Sequence, residues 1–209
     1  MKGLFVKDFC LLKKQIAYLA IIFFIAIVNL FLTNSSIFCI TFISTVGYIF
    51  SLNTISYDEY NNGYPFLFTL PISKKEYVQE KYIFSLTISA CFLFISLILC
   101  ILFQPIIPIQ WDELRLFLPI LLTMMIVYTT IMLPIKLTFD TQKSQICIFI
   151  FFGTFMILSY LLINFIPDSL ITLLCALKNI PLFCFPIISL PFLYTSYRIS
   201  QRIVETKNL

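Results

Sequence analysis

Histidine is absent from this 209-residue chain. With it go the commonest general base and a frequent metal ligand. An intramembrane hydrolase or metalloprotease that needs an imidazole is thereby excluded. Glycine is nearly as scarce: Gly3, Gly47, Gly63 and Gly153 are the only four, and no G-x-x-x-x-G-K-[ST] phosphate loop is present. The chain therefore has no nucleotide-hydrolysing motif of its own. Its seven cysteines are odd in number, lie mostly inside apolar runs and include no C-x-x-C pair. They indicate neither a disulfide framework nor a zinc site, only small core- or lipid-facing side chains. Charge is scarce too, at 11% of residues, against about 25% in globular chains. Hydrophobic residues make up 60%, more than a soluble domain of this length can hide, so lipid is the solvent for much of the surface. The net charge of +4 is spread between apolar blocks rather than along one face, which argues against nucleic-acid binding.

A bilayer crossing needs about 20 apolar residues. Counted against that length, the chain predicts an all-α polytopic membrane protein: a single permease-like domain over 1–209 with six transmembrane helices. No charge occurs from Gln15 to Tyr57, a run too long for one crossing, and Thr33-Asn34-Ser35-Ser36 supplies a polar turn within it. The expected spans are 16–33, 37–55, 83–103, 116–135, 146–166 and 179–197. Gln104-Pro105 closes the third, Pro167-Asp168 closes the fifth, and Pro181, Pro186 and Pro191 punctuate the sixth. Residues 1–14 read as a short interfacial helix with Phe5, Phe9 and Leu12 on one face, although Asp8 and Leu11 blur the stripe. A cleavable signal peptide is set aside, because the apolar run is long, leads into a second span and has no A-x-A site.

Cytoplasmic loops are enriched in lysine and arginine. With both termini inside, the inner segments hold Lys2, Lys7, Lys13, Lys14, Lys74, Lys75, Lys81, Lys136, Lys143, Arg198, Arg202 and Lys207, and the outer ones only Arg115 and Lys178. The expected location is thus a bacterial plasma membrane with both ends cytoplasmic. An ionisable group in mid-membrane is usually functional, and the six spans are expected to hold none at depth, with Lys136, Asp140 and Lys143 in a loop. The polar groups left at depth are Asn29, Asn53, Thr129, Thr130, Ser159 and Asn164. They suit helix–helix hydrogen bonds or a substrate path. The prolines of the last span suit a packing kink or a flexing gate. Energy for uphill transport would have to come from outside the chain.

A charged island, 57–81, interrupts the apolar blocks. Within it, Leu70-Pro71-Ile72-Ser73-Lys74-Lys75-Glu76 spells a helix start: Pro71 precedes the helix, Ser73 is the N-cap, and Glu76 completes a capping box. Ile72 and Tyr77 form the flanking staple. Tyr57-Asp58-Glu59-Tyr60-Asn61-Asn62-Gly63 reads as an acidic turn before it. Such an island serves as a solvated face or as a docking surface for a partner.

These residues carry a resemblance. The opening Met1-Lys2-Gly3-Leu4-Phe5-Val6-Lys7-Asp8, the triplet Tyr57-Asp58-Glu59, and above all Thr69-Leu70-Pro71-Ile72-Ser73-Lys74-Lys75-Glu76-Tyr77-Val78 with Lys81-Tyr82 are similar to the small six-span ABC-2-type permeases. These are the membrane halves of bacterial ATP-binding-cassette exporters. The motifs occupy about the first 85 residues, and the 61–65 turn departs from the family, whose members often carry a tryptophan or basic residue there. The resemblance implies a transport subunit without catalytic, cofactor-binding or metal residues, paired with a second permease as homo- or heterodimer. Two ABC ATPase subunits would bring ATP and magnesium. Residues 56–82 would be the cytoplasmic coupling segment, with a coupling helix between spans two and three and Tyr57, Asp58, Glu59, Leu70, Pro71, Ile72, Ser73, Lys74 and Glu76 as its ATPase-coupling residues. The implied cargo is an amphipathic peptide, such as a toxin, antimicrobial peptide or phenol-soluble modulin, or a lipid-like molecule. The alternative from another class is a membrane scaffold that recruits a cytoplasmic partner without transport.

Overall fold

The computed structural model describes residues 2–33, 35–60, 63–69, 71–106, 111–139, 141–147, 149–150, 153–154 and 184–206, and among these it contains helices and no strand. In chain order they are α1 (Lys2–Lys14), α2 (Ile16–Thr33), α3 (Ser36–Glu59), α4 (Gly63–Leu67), α5 (Lys74–Phe103), α6 (Trp111–Thr138) and α7 (Cys184–Thr206). Residues 141–147 form a further short helical stretch. Among the described residues four helices are long and apolar enough to cross a membrane: Ile16–Thr33, Ser36–Glu59, Lys74–Phe103 and Phe117–Thr138. They answer to the first four expected spans. Most of the expected fifth span and the start of the sixth lie outside the described residues, as do Asp140, Ser159, Asn164 and Cys175.

Local chemistry explains where the helices begin and end. The polar turn after α2 supplies Ser35, whose hydroxyl accepts from the Phe38 amide and caps α3. α3 then continues without a break to Glu59, so Tyr57, Asp58 and Glu59 form its last turn instead of a separate acidic turn. The same correction applies to the coupling helix. Ser73 starts α5, and neither glycine nor proline follows before Phe103, so the capped helix and the third span are one 30-residue rod. At 1.5 Å per residue it is about 45 Å long, roughly 15 Å more than the hydrocarbon core. The expected coupling helix is therefore the end of α5 that exceeds this thickness.

α3 packs chiefly on α5, and α6 on α7 and α3, while α2 touches mainly α3 and leaves most of its apolar surface uncovered. One apolar cluster fills the end of the bundle near α4, where Leu52, Ile55, Tyr64, Leu67, Tyr77, Val78, Leu133 and Val204 meet. A second fills the far end, with Ala26, Leu30, Ile40, Ile43, Phe92 and Leu121. α3 runs close against α5 at Gly47, where an added Cβ would sit 2.5 Å from Phe92 Cβ.

α1 differs from the expected stripe. Its buried face is Leu4, Asp8 and Leu12, one helical turn apart, whereas Phe9 is exposed. The polar groups at depth also act differently. Asn29, Thr129 and Thr130 donate back to carbonyls of their own helices, at Ile25, Met125 and Ile126. The cross-helix bonds come instead from Tyr48 to the Leu121 carbonyl (3.2 Å), Ser196 to the Thr130 carbonyl (2.6 Å), and Tyr82 with Ser196 and Ser200. Lys136 lies on α6 and not in a loop. It is buried, and its ammonium donates to the Leu52 carbonyl and Ser56 hydroxyl of α3, each at 3.1 Å.

Gly47→Ala is expected to force α3 from α5 and destabilise the protein by about 1–3 kcal/mol, the usual range for overpacking. Thermal unfolding in detergent measures it, and the loss should shrink when Phe92→Ala is added.

Candidate functional site

The projecting end of α5 is assembled from its cap upward. Ser73 Oγ accepts from the Glu76 amide at 3.2 Å, and Glu76 Oε2 accepts from the Ser73 amide at 3.0 Å and its hydroxyl at 2.9 Å. Both halves of the expected capping box are formed. Pro71 and Ser73 are exposed and Ile72 packs against the apolar cluster below; Leu70 lies outside the described residues. Lys74 donates to the Glu205 carbonyl at 3.4 Å and Lys75 pairs with the Glu205 carboxylate at 3.5 Å, which ties the cap to the end of α7.

α4 folds back beneath this cap. Its entry needs Gly63, where a Cβ would meet the Asp58 carbonyl oxygen at 2.5 Å. Tyr64 and Phe68 then stand edge-on to the fully buried Tyr77, with centroids 6.1 and 5.8 Å away. Burial pushes the Tyr64 phenol above its ordinary pKa, so it stays neutral. Tyr60 and Phe66, by contrast, project outward and are about three-quarters exposed, at 72% and 75%.

The three expected docking residues at the end of α3 also have contacts inside the chain. Tyr57 is partly exposed and its hydroxyl accepts from the Gln15 amide group at 2.6 Å. Glu59 accepts from the Thr141 hydroxyl at 2.8 Å. Asp58 turns inward and is buried.

Around Asp58 the structure builds a charge cluster that the sequence reading did not assemble. Lys81 of α5, 1% exposed on its side chain, pairs with Asp8 of α1 and, at 2.7 Å, with Asp58 of α3. Its ammonium also lies 3.3 Å from the Thr54 hydroxyl and 5.3 Å from the centre of the Tyr77 ring. Asp58 takes a second ammonium from Lys7 and a hydrogen bond from the Tyr77 hydroxyl at 3.1 Å. Asp8 Oδ1 is 3.2 Å from Lys7 Nζ but in no hydrogen bond, so that contact is Coulombic alone. Glu80 is fully buried, neither of its oxygens has a hydrogen-bond partner, and Lys81 is 3.9 Å away. Three carboxylates thus face two ammoniums, and three helices supply them.

The one hint in the sequence was Asp8 itself. A carboxylate four residues from Leu4 and four from Leu12 sits in the middle of a buried face, and a charge there requires a partner.

Residues 3–205 match the family described as ABC-2 family transporter protein. The chain belongs to that family. Neither the curated proteins nor the solved structures include a significant match to it. An ABC-2 protein is the membrane permease subunit of an ABC transporter and works with an ABC ATPase. The apolar helices above are its membrane part. Among the described residues no group of histidine, cysteine, aspartate or glutamate is arranged to hold a metal ion.

The charge cluster makes two opposite expectations for this ABC-2 permease. Lys81→Met should destabilise it by about 3–5 kcal/mol, because Asp8 and Asp58 lose a buried counter-ion. Glu80→Leu should leave two carboxylates facing two ammoniums and keep or raise the melting temperature. Thermal unfolding of both variants in one detergent is the measurement.

Proposed function

We propose that this permease is the membrane half of an exporter that moves an amphipathic or apolar cargo out of a bacterial cytoplasm, with a peptide toxin or antimicrobial peptide as the favoured class. The observation that carries the reading is the continuity of α5. A capped, partly exposed helix start is the same rigid element as a membrane span, so a force applied at Ser73 arrives inside the bilayer without crossing a joint. Tyr57, Glu59, Pro71, Ile72, Ser73, Lys74 and Glu76 would form the surface that meets the ATPase, with Leu70 between them, and Asp58 would hold that surface from behind. The outward Tyr60 and Phe66 suit the aromatic anchors that dominate protein interfaces.

The apolar character of the membrane part suits an apolar cargo. Even the small crevice between α3, α5 and α6, with room for about one water, is lined throughout by apolar side chains such as Ile37, Ile40, Leu93, Leu97, Phe117 and Leu121. An ion in such a place would lack compensation for its desolvation. The complete assembly would have six spans per permease, both termini cytoplasmic, a second permease as homo- or heterodimer, and two ATPase subunits carrying ATP and magnesium.

The test is affinity purification of the tagged permease, with identification of the ATPase that accompanies it. Ser73→Ala removes the cap of α5, a loss of about 1 kcal/mol. The double variant Ser73→Ala with Glu76→Ala should lower ATPase association or stimulated hydrolysis while membrane insertion persists. Unchanged association and turnover would count against the coupling role, and vectorial transport by the purified permease without ATP would overturn the reading.

A further inference from the structure

We propose that Glu80 is a proton-binding site: its carboxyl group carries a proton while the charge cluster is closed, and gives it up when the cluster opens to water or the medium turns alkaline. The site stands apart from the transport reading, and neither ATPase nor cargo enters its test.

The surroundings of Glu80 are the first reason. It is 0% exposed, and neither carboxyl oxygen has a hydrogen-bond partner. Lys81 stands 3.9 Å away but is already paired more closely with Asp8 and Asp58. An ionised Glu80 would be a buried charge without one hydrogen bond, among the costliest groups a fold can hold. Burial of this kind is where carboxyl groups keep their protons.

The balance of charge is the second. Lys7 and Asp8 reach the cluster from α1, Asp58 from α3, and Lys81 from the helix of Glu80 itself. These four act on the Glu80 carboxyl. The phenols of Tyr64, on α4, and Tyr77 stay neutral beside Asp58. Glu76 and, from α7, Glu205 are engaged at the cap, with Ser73 and Lys75. Two ammoniums thus balance Asp8 and Asp58, and the charge of Glu80 is left over. One proton makes the set neutral.

The third is an acceptor without a donor. Asp8 Oδ1 is buried and accepts no hydrogen bond. A protonated Glu80 adds an O–H donor to the cluster in which that oxygen lacks one.

Glu80 lies ahead of the expected third span, 83–103, on the side expected to face the cytoplasm. Burial is the largest influence on its titration and raises its pKa from the ordinary 4.5 to about 7, against the opposing pull of Lys81 and Lys7. The cluster therefore passes from neutral to singly negative around neutral pH. Once ionised, Glu80 competes with Asp8 and Asp58 for Lys81.

Infrared spectroscopy of the purified permease in lipid nanodiscs reads this proton directly, because the C=O stretch of a carboxylic acid is distinct from carboxylate bands. The wild type should show an acid band at about pH 6 and lose it by about pH 9. Glu80→Gln, which keeps the shape and cannot ionise, should lack the band at both. Thermal unfolding gives an independent reading. The folded chain holds the proton more tightly than the unfolded chain, so this group's contribution to stability falls as pH rises from 4.5 to about 7 and is level above. The melting temperature of the wild type should drop relative to Glu80→Gln across that window and run parallel to it above. A wild type without the acid band at about pH 6, an equal band in Glu80→Gln, or a melting difference that does not fall with pH overturns the inference. Should Glu80→Gln fail to fold, Glu80→Leu replaces it as the reference, and absence of the band from the wild type still decides.

Discussion

An ammonium removed from water needs carboxylates around it, and the lower end of this permease is organised by that need. Lys81 is buried at the height where α5 leaves the apolar bundle, and it draws Asp8 from α1 and Asp58 from α3. Lys7 and the Tyr77 hydroxyl complete the coordination of Asp58. Without this cluster α1 would be a loosely amphipathic segment with one acidic residue on its buried face. With it, three helices share one charged centre beside an apolar cluster, and the start of α5 is held from two sides while α7 holds it from a third through Glu205.

The same end shows how a membrane permease makes a precise surface from few polar residues. The cap at Ser73 fixes where the helix begins, and the aromatic packing of Tyr64 and Phe68 on Tyr77 fixes the path of the chain beneath it. Gly63 permits the sharp entry into α4. None of these features lies in the apolar spans, yet all of them are continuous with a span through α5. This end is therefore a braced helix start and not a free loop.

Much of this was legible in the sequence, and the rest was not for a stated physical reason. Apolar length gave the first four membrane helices, and Ser73 with Glu76 gave the helix start down to its hydrogen bonds, because both signals are local. The turn at Ser35 was local as well. What local pattern could not show was where α5 and α6 would stop obeying the bilayer: no residue breaks α5 between Lys81 and Ile83, so the helix runs on, and α6 likewise carries Lys136 past the expected boundary. The charge cluster joins positions 7, 8, 58, 80 and 81, and only packing decides that they meet. Asp8 was seen as a flaw in an amphipathic stripe, when on a buried face it marked the stripe's partner.

The contact of Gly47 with Phe92 acquires a further meaning once α5 is taken as a single rod. That contact is one point on a seam that runs from Asp58 and Lys81 at one end to Ser36 and Cys100 at the other. A rigid α5 held along such a seam has no single residue to rock about, so a displacement of its capped end is shared with α3.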